Sequence, residues 1–179
     1  MILEQKVLLT LQECQDILDS TNNEWYPSLI GKDEYRPDLR KSFVHNKYVN
    51  KEEALYGIVQ RGLSLINEEL VADQLLVSIL KYEKGGFIFK HKDDVSYYKG
   101  DPYVVKYFVI GLLNEDYEGG EFYVYDDDDT QINFTKTTGN LLVCKPTYYH
   151  EVTEVLDKTR YNFISFIKHN HLKGNTSVI

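Results

Sequence analysis

From residue 75 onward the chain is cut into short apolar runs, most of them closed by glycine or aspartate. The runs are 75–82, 104–113, 121–125, 131–135, 140–144, 150–155 and 160–167. Their punctuation is Gly85-Gly86, Gly119-Gly120, the Asp126-to-Asp129 run, Gly139 and Asp157-Lys158. Many short strands with turn residues between them predict a sandwich or a jelly roll, because such strands bury an apolar face only against a second sheet.

The first third reads differently. Lys6-Val7-Leu8-Leu9 is a short strand, and Thr10-Leu11-Gln12-Glu13 has the form of a capping box that opens a helix running to about Asp19. Asn50-Lys51-Glu52-Glu53 starts a second helix, and Leu55, Ile58, Val59 and Ile66 recur at helical spacing, predicting a helix over 51–66. Residues 20–50, with Trp25, Tyr26, Pro27 and Pro37, read as irregular chain with a short strand at Ser42-Phe43-Val44. The expected class is mainly β with N-terminal helices packed on one sheet. The expected organisation is one domain: a helical support region over 1–72, a jelly-roll core over 73–168, and a disordered polar tail over 169–179.

The chain has 179 residues, 42% hydrophobic and 27% charged, which is globular rather than disordered composition. No apolar run is long enough for a membrane helix, and no basic stretch followed by an apolar one opens the chain, so a cytoplasmic setting is expected. Two cysteines, Cys14 and Cys144, make no disulfide framework. A net charge of −8 argues against broad binding to a phosphate backbone.

The chemistry concentrates at His91-Lys92-Asp93. In extended chain, residues i and i+2 share a face, so His91 and Asp93 offer an imidazole nitrogen and a carboxylate oxygen to one ion. His150, at the start of a later strand, is the candidate third ligand. Two histidines and one carboxylate form the facial triad of non-haem Fe(II) oxygenases, which leaves three corners of an octahedron open. Arg160 follows a turn at Asp157-Lys158, on a strand beside that of His150. A buried guanidinium is costly without an anion, and a dicarboxylate held by the metal at one end supplies one at the other.

These residues carry a resemblance. Lys81-Tyr82-Glu83-Lys84-Gly85-Gly86 leads into His91-Lys92-Asp93. Gly111-Leu112-Leu113-Asn114-Glu115-Asp116-Tyr117-Glu118-Gly119-Gly120-Glu121-Phe122 follows. Gly139-Asn140-Leu141-Leu142-Val143 precedes His150-Glu151-Val152, and Thr159-Arg160-Tyr161 closes the set. In order and spacing this resembles the catalytic core of Fe(II)/2-oxoglutarate-dependent dioxygenases, in their prolyl 4-hydroxylase-like branch, over roughly the last hundred residues.

The resemblance implies a double-stranded β-helix (jelly-roll) core. It implies that His91, Asp93 and His150 bind Fe(II), that Arg160 holds the distal carboxylate of 2-oxoglutarate, and that Tyr82 donates its phenol to that carboxylate or lines its pocket. Asn162 shares the face of Arg160 and is placed to add a hydrogen bond. Gly119-Gly120 is expected to make a tight turn between core strands. The prolyl hydroxylases of this branch often carry Lys where this chain has Arg160, a departure that leaves the cosubstrate in place and bears on the substrate. The cofactors implied are Fe(II), 2-oxoglutarate and O₂, with ascorbate (vitamin C) as a candidate reductant.

The implied reaction is hydroxylation of a C–H bond, first on a peptidyl, prolyl-type side chain of a peptide or protein partner. The alternatives are a free amino acid or other small molecule, a modified nucleobase, and a non-catalytic jelly-roll binding module. A cupin-type enzyme without cosubstrate would give Arg160 nothing to do. Other features read as structural: His45 as a packing or exposed residue, His169-Asn170-His171 as part of the tail, Asp126 to Asp129 as a solvated turn, Cys144 as a buried thiol. Residues 94–103 read as a loop at the mouth of the site.

Overall fold

The computed structural model describes residues 3–30, 34–93 and 105–174. In chain order the elements are β1 (Leu3–Val7), α1 (Leu11–Asp19), β2 (Tyr26–Pro27), β3 (Arg40–Lys41), β4 (Phe43–Asn50), α2 (Ala54–Ser64), β5 (Gln74–Tyr82), β6 (Phe87–His91) and β7 (Val105–Leu112). They continue with β8 (Glu118–Gly119), β9 (Phe122–Tyr125), β10 (Gln131–Asn133), β11 (Asn140–Cys144), β12 (Tyr149–Val152), β13 (Val155–Asp157) and β14 (Arg160–Lys168).

The strands form a seven-stranded sheet in the order β1-β11-β7-β14-β5-β4-β2 and a five-stranded sheet in the order β10-β9-β12-β6-β3. A two-stranded ribbon, β13-β8, sits apart from both. Among the described residues every strand pair is antiparallel.

The larger sheet is covered on both faces, which explains why β7 is a near-continuous apolar run. Alternation along β7 divides its side chains. Tyr107 and Val109 join Ile17, Ile58, Val59 and Leu63 in a core beneath α1 and α2. Phe108, Ile110 and Leu112 join Phe122, Val124 and Val152 in a second core against the five-stranded sheet. The capping box that opens α1 is present. Thr10 Oγ1 accepts from the Glu13 amide, and Glu13 Oε2 accepts from the Thr10 amide at 2.9 Å. Arg61 of α2 donates to Leu8 O and to the Glu13 carboxylate, joining the two helices to the end of β1.

Beyond shifted strand bounds, unread strands such as β2, β3 and β6, and the expected strand over 150–155 that splits into β12 and β13, the structure departs from the sequence reading in two larger places. Within 20–50, the expected short strand at 42–44 is an eight-residue strand, β4, paired with β5 over its whole length. Its alternate positions Asn46, Tyr48 and Asn50 are exposed, so apolar content does not mark it as a strand. The second departure is the tail. His169–His171 is a 3-10 turn, and Leu172 is 0% exposed, bridged to Leu70. The amides of Val71 and Lys173 donate to His171 O and Glu69 O, at 2.8 and 2.9 Å. One apolar side chain and a short backbone ladder order a segment that composition alone makes look free. The expected loop at 94–103 lies outside the described residues. Among the described residues, no helix is long and apolar enough to cross a membrane.

Candidate metal centre

Strands β6 and β12 are antiparallel neighbours, and their register sets His91 directly opposite His150. Cross-strand partners point to the same face, so both imidazoles project into the space between the sheets, with ring centroids 4.3 Å apart. Asp93, two residues past His91, turns its carboxylate between them. His91 Nε2 lies 3.8 Å from Asp93 Oδ1, and His150 Nε2 lies 3.7 Å from Asp93 Oδ2. One ligand atom from each of the three residues falls within 4.8 Å of the others.

The tautomers follow from the backbone. His91 Nδ1 is 2.7 Å from Phe89 O, and His150 Nδ1 is 3.1 Å from Tyr148 O. A carbonyl only accepts, so each Nδ1 carries the proton and each Nε2 keeps its lone pair for the centre. Burial holds both imidazoles below their ordinary range, so they are neutral as metal binding requires; the charge of one histidine opposes that of the other at His91. Burial pushes the Asp93 carboxyl upward. Its Oδ2 is buried with no hydrogen-bond partner. A buried, unsatisfied carboxylate oxygen facing two imidazole lone pairs is satisfied by a cation, and the donor set of two nitrogens and one oxygen suits Fe(II).

Arg160 opens β14 just past the turn at Lys158 (φ 58) and pairs across the ladder with Tyr82 of β5. It is 1% exposed, yet no carboxylate pairs with it among the described residues, and its Nε has no partner. Glu151 is engaged elsewhere, accepting from the Tyr125 hydroxyl. The guanidinium instead donates to Asn162 Oδ1, sits 5.3 Å from the Tyr82 ring centroid, and its charge acts on the buried Tyr117 phenol. Gly120 makes room for it. A Cβ there would lie 3.1 Å from Arg160 Cδ and 2.9 Å from Val155 Cγ2, and the φ of 61° favours glycine. Gly119, also left-handed, lies within β8 and pairs with Val155 of β13 outside the two main sheets, so Gly119-Gly120 does not make the expected tight turn between two core strands.

One cavity of about 660 Å³ joins these features. Tyr82, His91, Asp93, His150, Arg160 and Asn162, all named from the sequence, line it. Ile110, Phe122 and Val152 supply apolar wall between the triad and Arg160. His45 stands in the outer part, its Nδ1 3.0 Å from Glu24 O. Two contributors escaped the sequence reading. Tyr117, buried against Arg160, sits within the stretch leading to Gly119-Gly120 but carries no pattern of its own. Arg40 lines the cavity from β3, and only its i, i+2 relation to Ser42 could have flagged it.

The model of the 2OG-Fe(II) oxygenase superfamily matches residues 77–168, just over half of the 179 residues. No curated protein matches the sequence. Among solved structures, a Pseudomonas putida prolyl-4-hydroxylase is similar at 16% identity and TM-score 0.70, covering 93% of this chain and 92% of its own. A Trichoplax adhaerens prolyl hydroxylase, in complex with a hypoxia inducible factor peptide fragment, is 14% identical at TM-score 0.66, covering 99% and 87%. A viral collagen prolyl hydroxylase from Paramecium Bursaria Chlorella virus-1, as a 2OG complex, is 14% identical at TM-score 0.65, covering 93% and 95%. At these identities the likeness is one of fold.

Proposed function

The chain belongs to the 2OG-Fe(II) oxygenase superfamily, and from that premise we propose that it hydroxylates a C–H bond of a peptidyl, prolyl-type side chain. In this reading the two facing sheets are a double-stranded β-helix and the chain is a single dioxygenase domain. The observation that carries the reading is the pairing of two unmet demands in one cavity. Among the described residues, the His91-Asp93-His150 cluster presents an unsatisfied carboxylate oxygen, and Arg160 presents a buried cation with no counter-ion. A divalent ion meets the first, and a dicarboxylate chelating that ion meets the second.

His91, Asp93 and His150 hold the iron, with both Nε2 atoms oriented by the Phe89 and Tyr148 carbonyls. Arg160 holds the distal carboxylate of 2-oxoglutarate, and Asn162, which accepts from it, orients its guanidinium. Tyr82 walls that carboxylate and limits its solvation. Bound Fe(II) supplies O₂ activation, coupling decarboxylation of 2-oxoglutarate to succinate and CO₂ with transfer of one oxygen atom to the substrate. Phe108, Phe122 and Ile110 keep water from the centre. Ascorbate is the proposed reductant for cycles that run without substrate. The peptidyl substrate is supported by the Trichoplax fold relative, a prolyl hydroxylase in complex with a peptide fragment.

The test is succinate release with Fe(II), 2-oxoglutarate and peptide pools, alongside a mass gain of one oxygen on the peptide. Asp93→Ala is expected to abolish both, because the centre loses the carboxylate that stands between the two imidazoles. Unchanged turnover in that variant would sink the reading.

A further inference from the structure

A second guanidinium enters the same cavity, and nothing in the proposed chemistry uses it. Arg40 lies on β3, the edge strand of the five-stranded sheet, directly opposite Ile88 of β6. Ile88 lines the cavity and packs on its core, so Arg40 shares that inward face. The side chain is half-buried and held. Its Nε donates to Ser42 Oγ at 2.9 Å, and Ser42 Oγ donates to Ser28 Oγ at 2.9 Å. Both serines are buried, and the Ser28 amide donates to Ser42 O at 2.9 Å.

With Nε committed, the two terminal amino groups remain as a fork. Among the described residues no carboxylate forms an ion pair with Arg40. It lines the same cavity as His91, Asp93 and His150, and its charge opposes protonation of both imidazoles. The exposed Arg36, four residues earlier, is paired with Asp38, and the half-buried Arg61 with Glu13.

The charges decide what this fork is for. With Fe(II) and 2-oxoglutarate in place, the ion and Arg160 are balanced by Asp93 and the two carboxylates of the cosubstrate. Arg40 is then left over. Among the described residues the other carboxylate lining the cavity, Glu24, is exposed. A pre-aimed, partly desolvated guanidinium with no anion among the described residues selects one from whatever binds next.

We propose that Arg40, tethered by Ser42 and Ser28, recognises a carboxylate of the substrate, so the modified residue lies next to an acidic group. The inference rests on the oxygenase reading and narrows it from any prolyl-type peptide to an acidic one. The carboxylate comes either from a neighbouring Asp or Glu side chain or from a chain end. Arg40 acts here as a specificity-determining residue that contacts the substrate away from the reacting carbon.

The experiment measures binding by calorimetry as well as oxygenation. The probes are acetylated, amidated proline peptides carrying Glu at each flanking position, and matched pools carrying Gln. A third set has a free C-terminal carboxylate next to proline, compared with its amide. The wild-type protein is expected to prefer one carboxylate-bearing set over its neutral partner by about 10- to 100-fold, and the set preferred identifies the source. Arg40→Gln is expected to erase that preference. Arg40→Lys restores part of it, and Ser42→Ala, which frees the guanidinium, lowers it without removing it.

Equal binding of charged and neutral sets by the wild type overturns the proposal. So does a preference that survives Arg40→Gln, or loss of 2-oxoglutarate affinity in that variant, read from the visible charge-transfer band of the anaerobic Fe(II) complex. Failure of the oxygenase reading looks different: wild-type protein then shows neither that band nor succinate, while calorimetry on the peptide pools still decides the role of Arg40.

Discussion

Arg160 carries a full positive charge where water reaches almost none of it. Neutral neighbours, Asn162, Tyr117 and the Tyr82 ring, orient it without neutralising it. Such a group destabilises the empty protein and favours the loaded one. Arg160→Met should therefore weaken 2-oxoglutarate binding by about 30-fold or more, the scale for truncating one side of a buried charge pair. The metal-free fold should be at least as stable as the parent in urea. Titration of the Fe(II) complex with 2-oxoglutarate checks the first expectation, and unchanged affinity would remove Arg160 from the cosubstrate site. That His91, Asp93, His150 and Arg160 line one cavity was legible from the sequence because each belongs to a spaced pattern. Arg40 and Tyr117 were not. Their importance comes from what stands opposite them in space, and no local pattern records that.

At the scale of elements, β7 and β14 show how tightly the major sheet is fitted. Gly111 lies opposite Phe163 in the ladder, and a Cβ at Gly111 would come within 2.1 Å of the Phe163 ring. Gly111→Ala should cost about 1–3 kcal/mol in denaturant unfolding, as overpacking does, while leaving the ligand triad in place. The tail gives a pH prediction. His171 Nδ1 accepts the Lys168 amide, and burial, reinforced by the Lys168 charge, holds the imidazole below its ordinary value of 6.5. The unfolded tail takes up the proton first. The docking is thus fully present above about pH 6.5 and lost as the pH falls below it. Hydrogen exchange at the Val71 and Lys173 amides, corrected for intrinsic rate, should accelerate between pH 7.5 and 5.5, and His171→Asn should flatten the response. The same tail shows why parts of the fold were hidden. β5, β7, β11 and β14 are apolar on both faces and read directly as strands, and α1 is announced by its capping box. β4 and the docked Leu172 depend on partners distant in sequence, with polar neighbours masking them.

For the molecule as a whole, two cores back the major sheet, and the site lies in the inner one, between the sheets. Ligand binding there should be felt globally by mass action. At a free concentration 100 times its dissociation constant, 2-oxoglutarate with metal should add about 2.7 kcal/mol to unfolding, or roughly 5–10 °C in melting temperature for a chain of this size. Arg160→Met should lose most of the part due to 2-oxoglutarate, and a wild-type shift from metal alone that 2-oxoglutarate fails to extend would argue against a shared pocket. One last property follows from the carbonyls of Phe89 and Tyr148. Because main chain aims both imidazoles, the pincer keeps its shape when it grips nothing. An ion arriving there would meet two nitrogens already set in direction and would turn neither ring, like a key entering a lock whose wards are part of the casing.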